Sequence, residues 1–417
     1  MSSTSPLLEV QNLKKYYPVG SGGVVSRRLN LTEYVKAVDG VSFGIDEGET
    51  LALVGESGCG KTTIGRCILQ LEELTDGEIH LRGKNVASDS RGQLRDSLWK
   101  EVQMVFQDPK SSLNRRKKVG QIIGSPLEFY GIATGADKRA RVTELLEMVG
   151  LPADLYNRFP SELSGGQQQR IGIARALAVD PKLIVLDEPV TALDVSIQAQ
   201  IINLLEDLQE EFGLSYLLIS HDLSVVEHIA DRVAVMYLGE LAELGPADQV
   251  FDDPKHPYTQ VLLDAVPNLD PTKRRDRLRV EGEPPTPIDP PSGCRFHPRC
   301  PKIVQPAEMD LPEKQWRRFI RFRRLVNTDF ASLASSDAAD VEDRIRDPQA
   351  FVESWFEGGV PDDVADLVVR SCELVNDGRR EEAEALLSER IQSPCERDVP
   401  RTASVTGEHD VRCHLYE

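Results

Sequence analysis

The sequence lacks any hydrophobic run long enough to cross a membrane. None of its apolar segments approaches the roughly 18 consecutive apolar residues that a membrane-spanning helix needs. Its first residues, MSSTSPLLEVQ, also lack the positively charged start and the apolar core of a secretory signal peptide. These two absences predict a chain that stays in the cytoplasm.

Positive charge is scarce in this chain. Lys and Arg number 49 against 68 Asp and Glu, which gives a formal net charge of −19 over 417 residues. Nucleic-acid phosphates would be repelled by such a surface, so the balance argues against a general nucleic-acid-binding protein. The excess resembles that of proteins from salt-accumulating microbes, where salt screens the repulsion, but an ordinary acidic protein fits equally well.

Cysteine does not form the pattern of a disulfide framework. The seven cysteines are an odd number, and in a reducing cytoplasm they are expected to stay free or to bind a metal. The length allows two to three domains, and the 40% hydrophobic content is ordinary for a globular protein.

Alternating strand-like and helix-like segments up to about residue 265 predict an α/β fold with a parallel core sheet. The continuously apolar strand candidates, each beside a helix-like stretch, are TLALVG (50–55), KLIVLDE (182–188) and SYLLISH (215–221). Segments that alternate and favour an adjacent antiparallel sheet are LEVQNL (8–13), 34–46 and 78–81. Residues 108–160 contain helix-length patterns.

The remainder of the chain differs in character. The stretch 281–293, EGEPPTPIDPPSG, is a linker that excludes helix and central strand. Residues 361–375 place apolar side chains, with Cys372 among them, on one helical face, and residues 380–391 predict a second helix. In 316–324, WRRFIRFRR, the aromatics are expected in a local core, although contact with anionic lipid or a membrane protein is the alternative.

A phosphate-binding loop follows the first apolar strand. Its pattern G-x-x-x-x-G-K-[ST] comprises Gly55, Glu56, Ser57, Gly58, Cys59, Gly60, Lys61, Thr62 and Thr63. The glycines let backbone N–H groups turn toward phosphate oxygens, and the following helix directs its positive end at them. Lys61 is predicted to bind the β- and γ-phosphates and Thr62 to ligate Mg²⁺. A chance glycine-rich turn is the alternative.

Two carboxylates follow the apolar strand 183–186. Asp187 is placed to hold Mg²⁺ through water, and Glu188 to orient or deprotonate the attacking water. Adjacent carboxylates at the end of a buried strand are costly without a cation nearby. A strand followed by an ordinary acidic turn is the alternative, and the phosphate loop makes it the weaker one.

Between these two motifs lies Leu163-Ser164-Gly165-Gly166-Gln167. The sequence LSGGQ upstream of a strand that ends in Asp-Glu resembles the signature of ABC ATPases. The resemblance implies that Ser164 and the N–H groups of the two glycines contact the γ-phosphate held by the loop of a partner subunit.

Other positions carry the same resemblance. Gln107 matches the residue that senses Mg²⁺ and the attacking water and couples to the membrane subunit. Asp194, in Ala192-Leu193-Asp194, matches the loop that communicates across the dimer, and His221 matches the switch histidine at the γ-phosphate. Tyr17 matches the aromatic that stacks on adenine, with Tyr16 as its rival.

Longer segments resemble one branch of the family, the ATPases of oligopeptide/dipeptide importers. They are 106–114, 158–177, 187–201, 256–267 (HPYTQVLLDAVP) and 293–301 (GCRFHPRCP). The predicted architecture is an ABC-type ATPase domain at 1–268, an importer-type tail at 269–300 and 395–417, and an α-helical insert at 301–394 that is not part of the resemblance. The ATPase domain would have a parallel core sheet, an antiparallel β subdomain and a helical subdomain.

The tail contains four cysteines in the spacing of this importer group. Some members hold a [4Fe–4S] cluster on such residues, and four thiolates suit iron–sulfur or zinc. The four candidates are Cys294, Cys300, Cys395 and Cys413. The insert separates the second from the third, although a hairpin insertion keeps its ends close. Free thiols are the alternative.

The resemblance implies a peripheral ATPase on the cytoplasmic side of the membrane that energises import of di- or oligopeptides. Its expected cofactors are ATP and Mg²⁺. Its expected partners are transmembrane permease subunits, a second ATPase subunit (a copy or a paralogue) and, through the complex, an extracytoplasmic solute-binding protein. Alternatives are import of another solute such as nickel, a non-transport ABC ATPase in DNA repair or translation, and a regulatory subunit with a degenerate site. The intact Glu188 and His221 oppose the last.

Overall fold

The computed structural model describes residues 5–19, 33–87, 93–191, 193–265, 280, 282–327, 344–356 and 358–417. They divide into two compact units. The first lies within Met1–Arg277, Pro284–Pro290 and Thr402–Arg412, and the second within Leu278–Glu283, Pro291–Arg401 and Cys413–Glu417. The predicted tail includes all of 395–417, whereas Thr402–Arg412 belongs to the first unit. The boundaries proposed at residues 268, 300 and 394 stay predictions.

The larger sheet of the first unit has the strand order β11-β12-β10-β9-β3-β8-β7-β6. Its strands are β3 (Thr50–Val54), β6 (Val102–Val105), β7 (Leu183–Asp187), β8 (Ser215–Ile219), β9 (Arg232–Tyr237), β10 (Glu240–Pro246), β11 (Thr402–Thr406) and β12 (His409–Arg412). Pairing is parallel from β9 through β3, β8 and β7 to β6, and antiparallel from β9 to β11. Every residue of β3, β7 and β8 is buried, as their apolar runs predicted.

A second sheet is antiparallel and has the order β2-β1-β4-β5. Its strands are β1 (Leu8–Pro18), β2 (Tyr34–Ile45), β4 (Asp76–Leu81) and β5 (Lys84–Asn85). All its pairings run antiparallel, as the alternating patterns predicted. Both sheets share one apolar core with the helix after the phosphate loop, to which Leu8, Ile45, Ile64, Val185 and Leu217 contribute.

The first unit also contains helices. They are α1 (Lys61–Ile68), α2 (Gln93–Glu101), α3 (Pro109–Ser112), α4 (Val119–Phe129), α5 (Gly135–Met148), α6 (Gly165–Leu177), α7 (Val195–Phe212), α8 (Leu223–Ile229), α9 (Ala247–Asp252) and α10 (Pro257–Asp264). Helices α3 to α5 fall in the region 108–160, where helix-length patterns were expected. No helix of the described residues is long and apolar enough to span a bilayer.

The second unit is mainly helical. Its helices are α11 (Glu313–Asn327), α12 (Pro348–Trp355), α13 (Asp362–Asn376), α14 (Arg380–Arg390) and α15 (Pro394–Arg397). Trp316, Phe319 and Phe322 of α11 are buried in its apolar core, so the aromatics of 316–324 pack locally, as expected. Cys372 lies in the same core. Helices α13 and α14 coincide within one residue with the two predicted segments.

Candidate active site

A loop at residues 55–60 joins the buried strand β3 to helix α1. Gly55 and Gly60 have φ angles of 147° and 111°. A Cβ atom on Gly55 would lie 2.1 Å from the carbonyl oxygen of Met236, and one on Gly60 would lie 2.1 Å from that of Ala37. Only glycine fits this close approach of two backbones, so the two glycines of the motif fix the path of the loop.

Lys61 lies inside this loop, where its side chain is 6% exposed. Its ammonium nitrogen donates hydrogen bonds to the carbonyl oxygens of Gly55, at 2.8 Å, and Glu56, at 3.0 Å. A fixed positive charge therefore sits at the centre of the loop. Cys59 is 5% exposed, and burial raises the pKa of its thiol. Ser57 and Gly58 are exposed at the tip of the loop.

Thr62 and Asp187 meet across the carboxyl end of the parallel sheet. The Thr62 hydroxyl donates a hydrogen bond of 2.9 Å to the Asp187 carboxylate, which is 2% exposed. Burial raises the pKa of Asp187 above its usual range, and the Thr62 hydrogen bond opposes that rise. A hydroxyl and a carboxylate oxygen side by side are the donors that Mg²⁺ prefers, so the residues present fit a magnesium ion.

Glu188 follows Asp187 with a positive φ of 48°. Its backbone N–H donates to the carbonyl oxygen of Ile219 at 2.9 Å, which ties it to the end of β8. Gln107 Nε2 donates to one carboxylate oxygen at 2.7 Å, and His221 Nδ1 lies 3.3 Å from the other. The three side chains come from segments that follow β6, β7 and β8, so neighbouring parallel strands bring them together.

Ser164 lies outside this group and is exposed. Its hydroxyl accepts a hydrogen bond from the Gln167 N–H at 3.3 Å, and the Gln167 side chain accepts one from the Ser164 N–H at 3.0 Å. This reciprocal pair caps the N-terminus of α6. Gly165 and Gly166 form the first turn of that helix. The turn therefore faces outward, with the positive end of a 13-residue helix behind it.

The other side chains expected from the family resemblance occupy separate positions. Asp194 is exposed and immediately precedes α7, whereas Ala192 lies outside the described residues. Tyr17 is half-buried and lies near the side chain of Thr63 in α1, and burial raises the pKa of its hydroxyl. The Tyr16 hydroxyl instead bonds to Asp39. Of the two rivals, Tyr17 is the one beside the phosphate loop's helix.

Known proteins match about three quarters of this chain. The chain is 49% identical over 312 residues to the dipeptide transport ATP-binding protein DppF of Haemophilus influenzae, covering 75% of this chain and 94% of that one. It is 51% identical over 309 residues to the oligopeptide transport ATP-binding protein AppF of Bacillus subtilis, covering 74% and 93%. The chain belongs to the family of ABC-transporter ATP-binding subunits. This confirms the resemblance drawn from the signature motifs.

Family profiles match separate parts of this ABC ATPase. "ABC transporter" matches residues 38–191, and "Oligopeptide/dipeptide transporter, C-terminal region" matches 242–306. A domain of unknown function (DUF8228) matches 313–408. Among solved structures, a dimeric post-hydrolysis state of the ATP-binding cassette MJ0796 bound to ADP and phosphate is 30% identical, with a TM-score of 0.51 over 58% of this chain and 98% of that one. The predicted fold class is confirmed.

A groove beside Gln107 was not foreseen from the sequence. It has a volume of about 640 Å³ and lies between α4 and the segment that follows β6. Its walls include Leu71, Phe106, Phe129 and Arg175. Phe129 is 73% exposed and Leu71 51% exposed. Exposed large apolar side chains around a groove are typical of a protein-binding surface, and that exposure cannot be read from the sequence alone.

The four cysteines of the tail come together in the second unit. Cys300 is buried, and the thiols of Cys294, Cys395 and Cys413 are near enough to raise its pKa together with burial, which is the largest cause. The N–H of Cys294 donates to the carbonyl oxygen of Cys395 at 2.8 Å. The insert thus leaves the two cysteine segments adjacent. Within the described part of the chain, no group of three or more potential ligands has the geometry of a metal site.

Proposed function

We propose that this ABC ATPase binds ATP with Mg²⁺ and hydrolyses it to drive a peptide importer. The observation that carries the proposal is the convergence of two groups at the carboxyl end of one sheet. The Thr62–Asp187 contact of 2.9 Å lies directly after the phosphate loop. The Glu188 carboxylate is held by Gln107 and lies beside His221. Glu188 is the residue that follows the end of β7.

Glu188 is proposed as the group that orients and deprotonates the attacking water. A carboxylate held at both oxygens presents its remaining lone pairs in a fixed direction. Gln107 and His221 would keep that direction, and His221, whose side chain is 52% exposed, would also reach the γ-phosphate. Mg²⁺, held by Thr62 and Asp187, would supply charge neutralisation for the phosphate oxygens. Lys61 would bind the β- and γ-phosphates from within the loop.

The nucleotide site is proposed to be completed by a second subunit. Ser164, Gly165, Gly166 and Gln167 are exposed or half-exposed at a helix N-terminus, which is a suitable surface for a partner's γ-phosphate. Asp194 and the 81% exposed Val195 lie at the start of α7, and α7 packs against this turn, since a Cβ atom on Gly166 would lie 2.6 Å from Cγ2 of Ile197. The partner subunit is either another copy or a paralogous ATPase. Tyr17 is proposed to stack on adenine.

Transmembrane permease subunits are the proposed occupants of the groove beside Gln107. A permease segment bound against Phe106 and Phe129 would touch the strand-following segment that carries Gln107. Gln107 in turn contacts Glu188, so permease movement and hydrolysis would be coupled through one hydrogen bond. The chain would then be peripheral on the cytoplasmic face of the membrane, in a complex with an extracytoplasmic solute-binding protein.

Di- or oligopeptides are the proposed cargo, because both named relatives transport them according to their names. The test is uptake of a labelled dipeptide by the complete transporter in proteoliposomes with internal ATP. Uptake and hydrolysis should both disappear with Lys61→Ala. ATPase activity that survives Lys61→Ala would reject the assignment of the nucleotide site. Transport of nickel but not peptide would leave that site intact and reject only the cargo.

The four cysteines are proposed to hold a [4Fe–4S] cluster. Their support is the hydrogen bond of 2.8 Å from the Cys294 N–H to the Cys395 carbonyl oxygen, which brings the two cysteine segments together. Four thiolates fit such a cluster in number and chemistry. Anaerobic purification followed by iron and acid-labile sulfide analysis tests this, with Cys372→Ser as the control outside the group. Stoichiometric iron that is lost in Cys300→Ser supports a cluster, and its absence from the anaerobic protein means four free thiols.

A further inference from the structure

A buried tyrosine of α10, Tyr258, contacts the phosphate loop. The hydroxyl of Tyr258 accepts a hydrogen bond of 2.9 Å from the backbone N–H of Glu56, the second residue of the loop. Tyr258 is fully buried, and its ring centroid lies 4.6 Å from that of Tyr237 on β9. The tyrosine ring is therefore fixed by packing, and its hydroxyl is a rigid acceptor for one peptide group of the loop.

Tyr258 is itself held by a chain of buried hydrogen bonds. Its N–H donates to Nδ1 of His256 at 3.0 Å, which caps the start of α10. The N–H groups of Lys255 and His256 donate to the two carboxylate oxygens of Glu243 on β10, each at 2.8 Å. Glu243 is 1% exposed, so this carboxylate is a fixed anchor for the turn that delivers Tyr258.

This series of hydrogen bonds continues into the C-terminal hairpin, which is formed by β11 and β12. His409 Nε2 lies 2.7 Å from a carboxylate oxygen of Glu243, and His409 is 1% exposed. A Cβ atom on Gly245 would lie 2.8 Å from His409 Cδ2, so the glycine leaves room for the imidazole. The ring of His256 also hydrogen-bonds with the backbone of Arg412 on β12. His256 and His409 therefore connect the hairpin to the segment that carries Tyr258.

We propose that Tyr258 is a positioning residue for the phosphate loop and that Glu243, His256 and His409 extend this support to the C-terminal hairpin. The loop binds phosphate through its backbone N–H groups, so fixing the peptide group at Glu56 limits the orientations of the peptide groups that follow. Nucleotide affinity then depends on a hydrogen bond between two residues that lie more than 200 positions apart in the sequence. The inference rests on the proposed nucleotide site.

The test compares two buried tyrosines that each lose a hydroxyl. Tyr258→Phe deletes the acceptor for Glu56, whereas Tyr216→Phe deletes a hydroxyl that donates to the carbonyl oxygen of Leu205 at 2.9 Å, inside the same unit. Tyr258→Phe should raise the KM for ATP and the Kd of a fluorescent ATP analogue about three- to tenfold, the loss expected for one hydrogen bond. Its kcat should stay within about twofold, because Tyr258 touches no reacting atom.

Tyr216→Phe should lower the unfolding temperature about as much as Tyr258→Phe, with KM and Kd unchanged. Equal nucleotide affinity in the wild-type protein and Tyr258→Phe would overturn the inference. A loss of affinity of the same size in both tyrosine variants would also overturn it, because that result indicates general destabilisation rather than positioning.

The extension to the hairpin is tested with His409→Gln in the full-length chain. It should raise the Kd in the wild-type background and add less than its single effect to Tyr258→Phe, since both changes act through one chain of contacts. Full additivity would reject the link between hairpin and loop. Lys61→Ala distinguishes failure of the proposed nucleotide site from failure of the positioning role of Tyr258. If Lys61→Ala keeps nucleotide affinity, the site assignment fails, whereas if only Tyr258→Phe is silent, the positioning role alone fails.

Discussion

Gln107 and Glu188 are joined by a hydrogen bond of 2.7 Å from the amide nitrogen to a carboxylate oxygen. They lie 81 residues apart in the chain, after the neighbouring parallel strands β6 and β7. One wall of the groove that we assign to the permease is Phe106, the residue before Gln107. A shift of that segment would therefore change the hydrogen bonding of the proposed general base directly.

Replacement of Glu188 by Gln should stop hydrolysis and keep nucleotide binding. The amide retains the size of the side chain and an acceptor oxygen, but it does not take a proton from water. The expected loss in kcat is about 10²- to 10⁴-fold, measured as phosphate release. The Kd of a fluorescent ATP analogue should change less than about threefold, since Lys61 and Thr62 are untouched.

The matched control is Glu206→Gln. Glu206 lies in α7 and is 3.5 Å from His228 in a partly exposed pair, so it resembles Glu188 in having a histidine partner but lies outside the proposed site. Its kcat should equal that of the wild-type protein. Comparable activity in both variants would remove Glu188 from the mechanism.

Replacement of Ser164 by Asp should prevent ATP-dependent dimerisation. Asp caps a helix as well as Ser does, so α6 should keep its stability. The new negative charge would face the partner's γ-phosphate and repel it. Size-exclusion chromatography with ATP, in the Glu188→Gln background that accumulates the bound state, should show monomers. Ser164→Asn keeps the cap without the charge and should still dimerise. Dimers formed by Ser164→Asp would contradict the assignment of this turn to a partner's nucleotide.

Much of the first unit could be predicted because its signals are local. The apolar runs of β3, β7 and β8 have no other stable place than the interior of a parallel sheet. Parallel strands end at one edge, so the meeting of Thr62 with Asp187, 125 residues apart, followed from the two motifs. The roles of these residues in binding and hydrolysis stay predictions.

That Tyr17 rather than Tyr16 stacks on adenine stays a prediction, and only the neighbours of the two side chains come from the structure. Adjacent residues of a strand point to opposite faces, and the sequence does not say which face meets the phosphate loop. Tyr16 bonds to Asp39, whereas Tyr17 lies near Thr63 in α1. The alternation itself was correct in predicting a strand.

Contacts between distant segments without motifs were missed. Where β12 pairs with β10, His409 meets Glu243, 166 residues earlier, and no local pattern marks either residue as a partner. The proximity of the cysteine segments was foreseen only as a property of hairpin insertions. The structure supplies the cause, because Ser393 Oγ donates to the carbonyl oxygen of Val304 at 2.5 Å and so closes the insert at its ends.

Stability should fall as the pH drops from about 6.5 to about 4 because of His256. Burial lowers the pKa of His256 from 6.5 to about 4, although the nearby Glu243 acts in the opposite direction. The unfolded chain therefore binds a proton in this range that the folded chain does not. Stability from this group is full above pH 6.5 and is lost toward pH 4, by on the order of 3 kcal/mol.

Denaturant unfolding at several pH values measures this dependence. His256→Asn retains a helix-capping oxygen for the Tyr258 N–H but has no group that titrates, so its stability should change less steeply across the same range. The carboxylates of the chain contribute the same pH dependence to the wild-type protein and to His256→Asn. Identical slopes for the two would show that His256 does not carry the pH dependence.

Replacement of Arg323 by Met should loosen the two cysteine segments of the second unit. Arg323 and Glu396 form an ion pair of 2.7 Å in which each side chain is 12% exposed, and Arg323 also donates to the carbonyl oxygen of Ile391. Removing one charge leaves the other buried without its partner, which costs about 3 kcal/mol or more. The next residue, Arg324, donates to the carbonyl oxygen of Cys300, so α11 contacts both cysteine segments.

Reaction of thiols with a disulfide reagent reports this loosening. Arg323→Met should expose Cys300 and Cys395 to reaction faster than in the wild-type protein, and the double change Arg323→Met, Glu396→Leu should restore part of the protection because no unpaired charge remains. The control is Arg317→Met in the same helix. Arg317 pairs with Glu313 at the surface, where such pairs contribute less than about 1 kcal/mol, so thiol reactivity should not change. Equal protection in Arg323→Met would mean that the ion pair does not hold these segments in place.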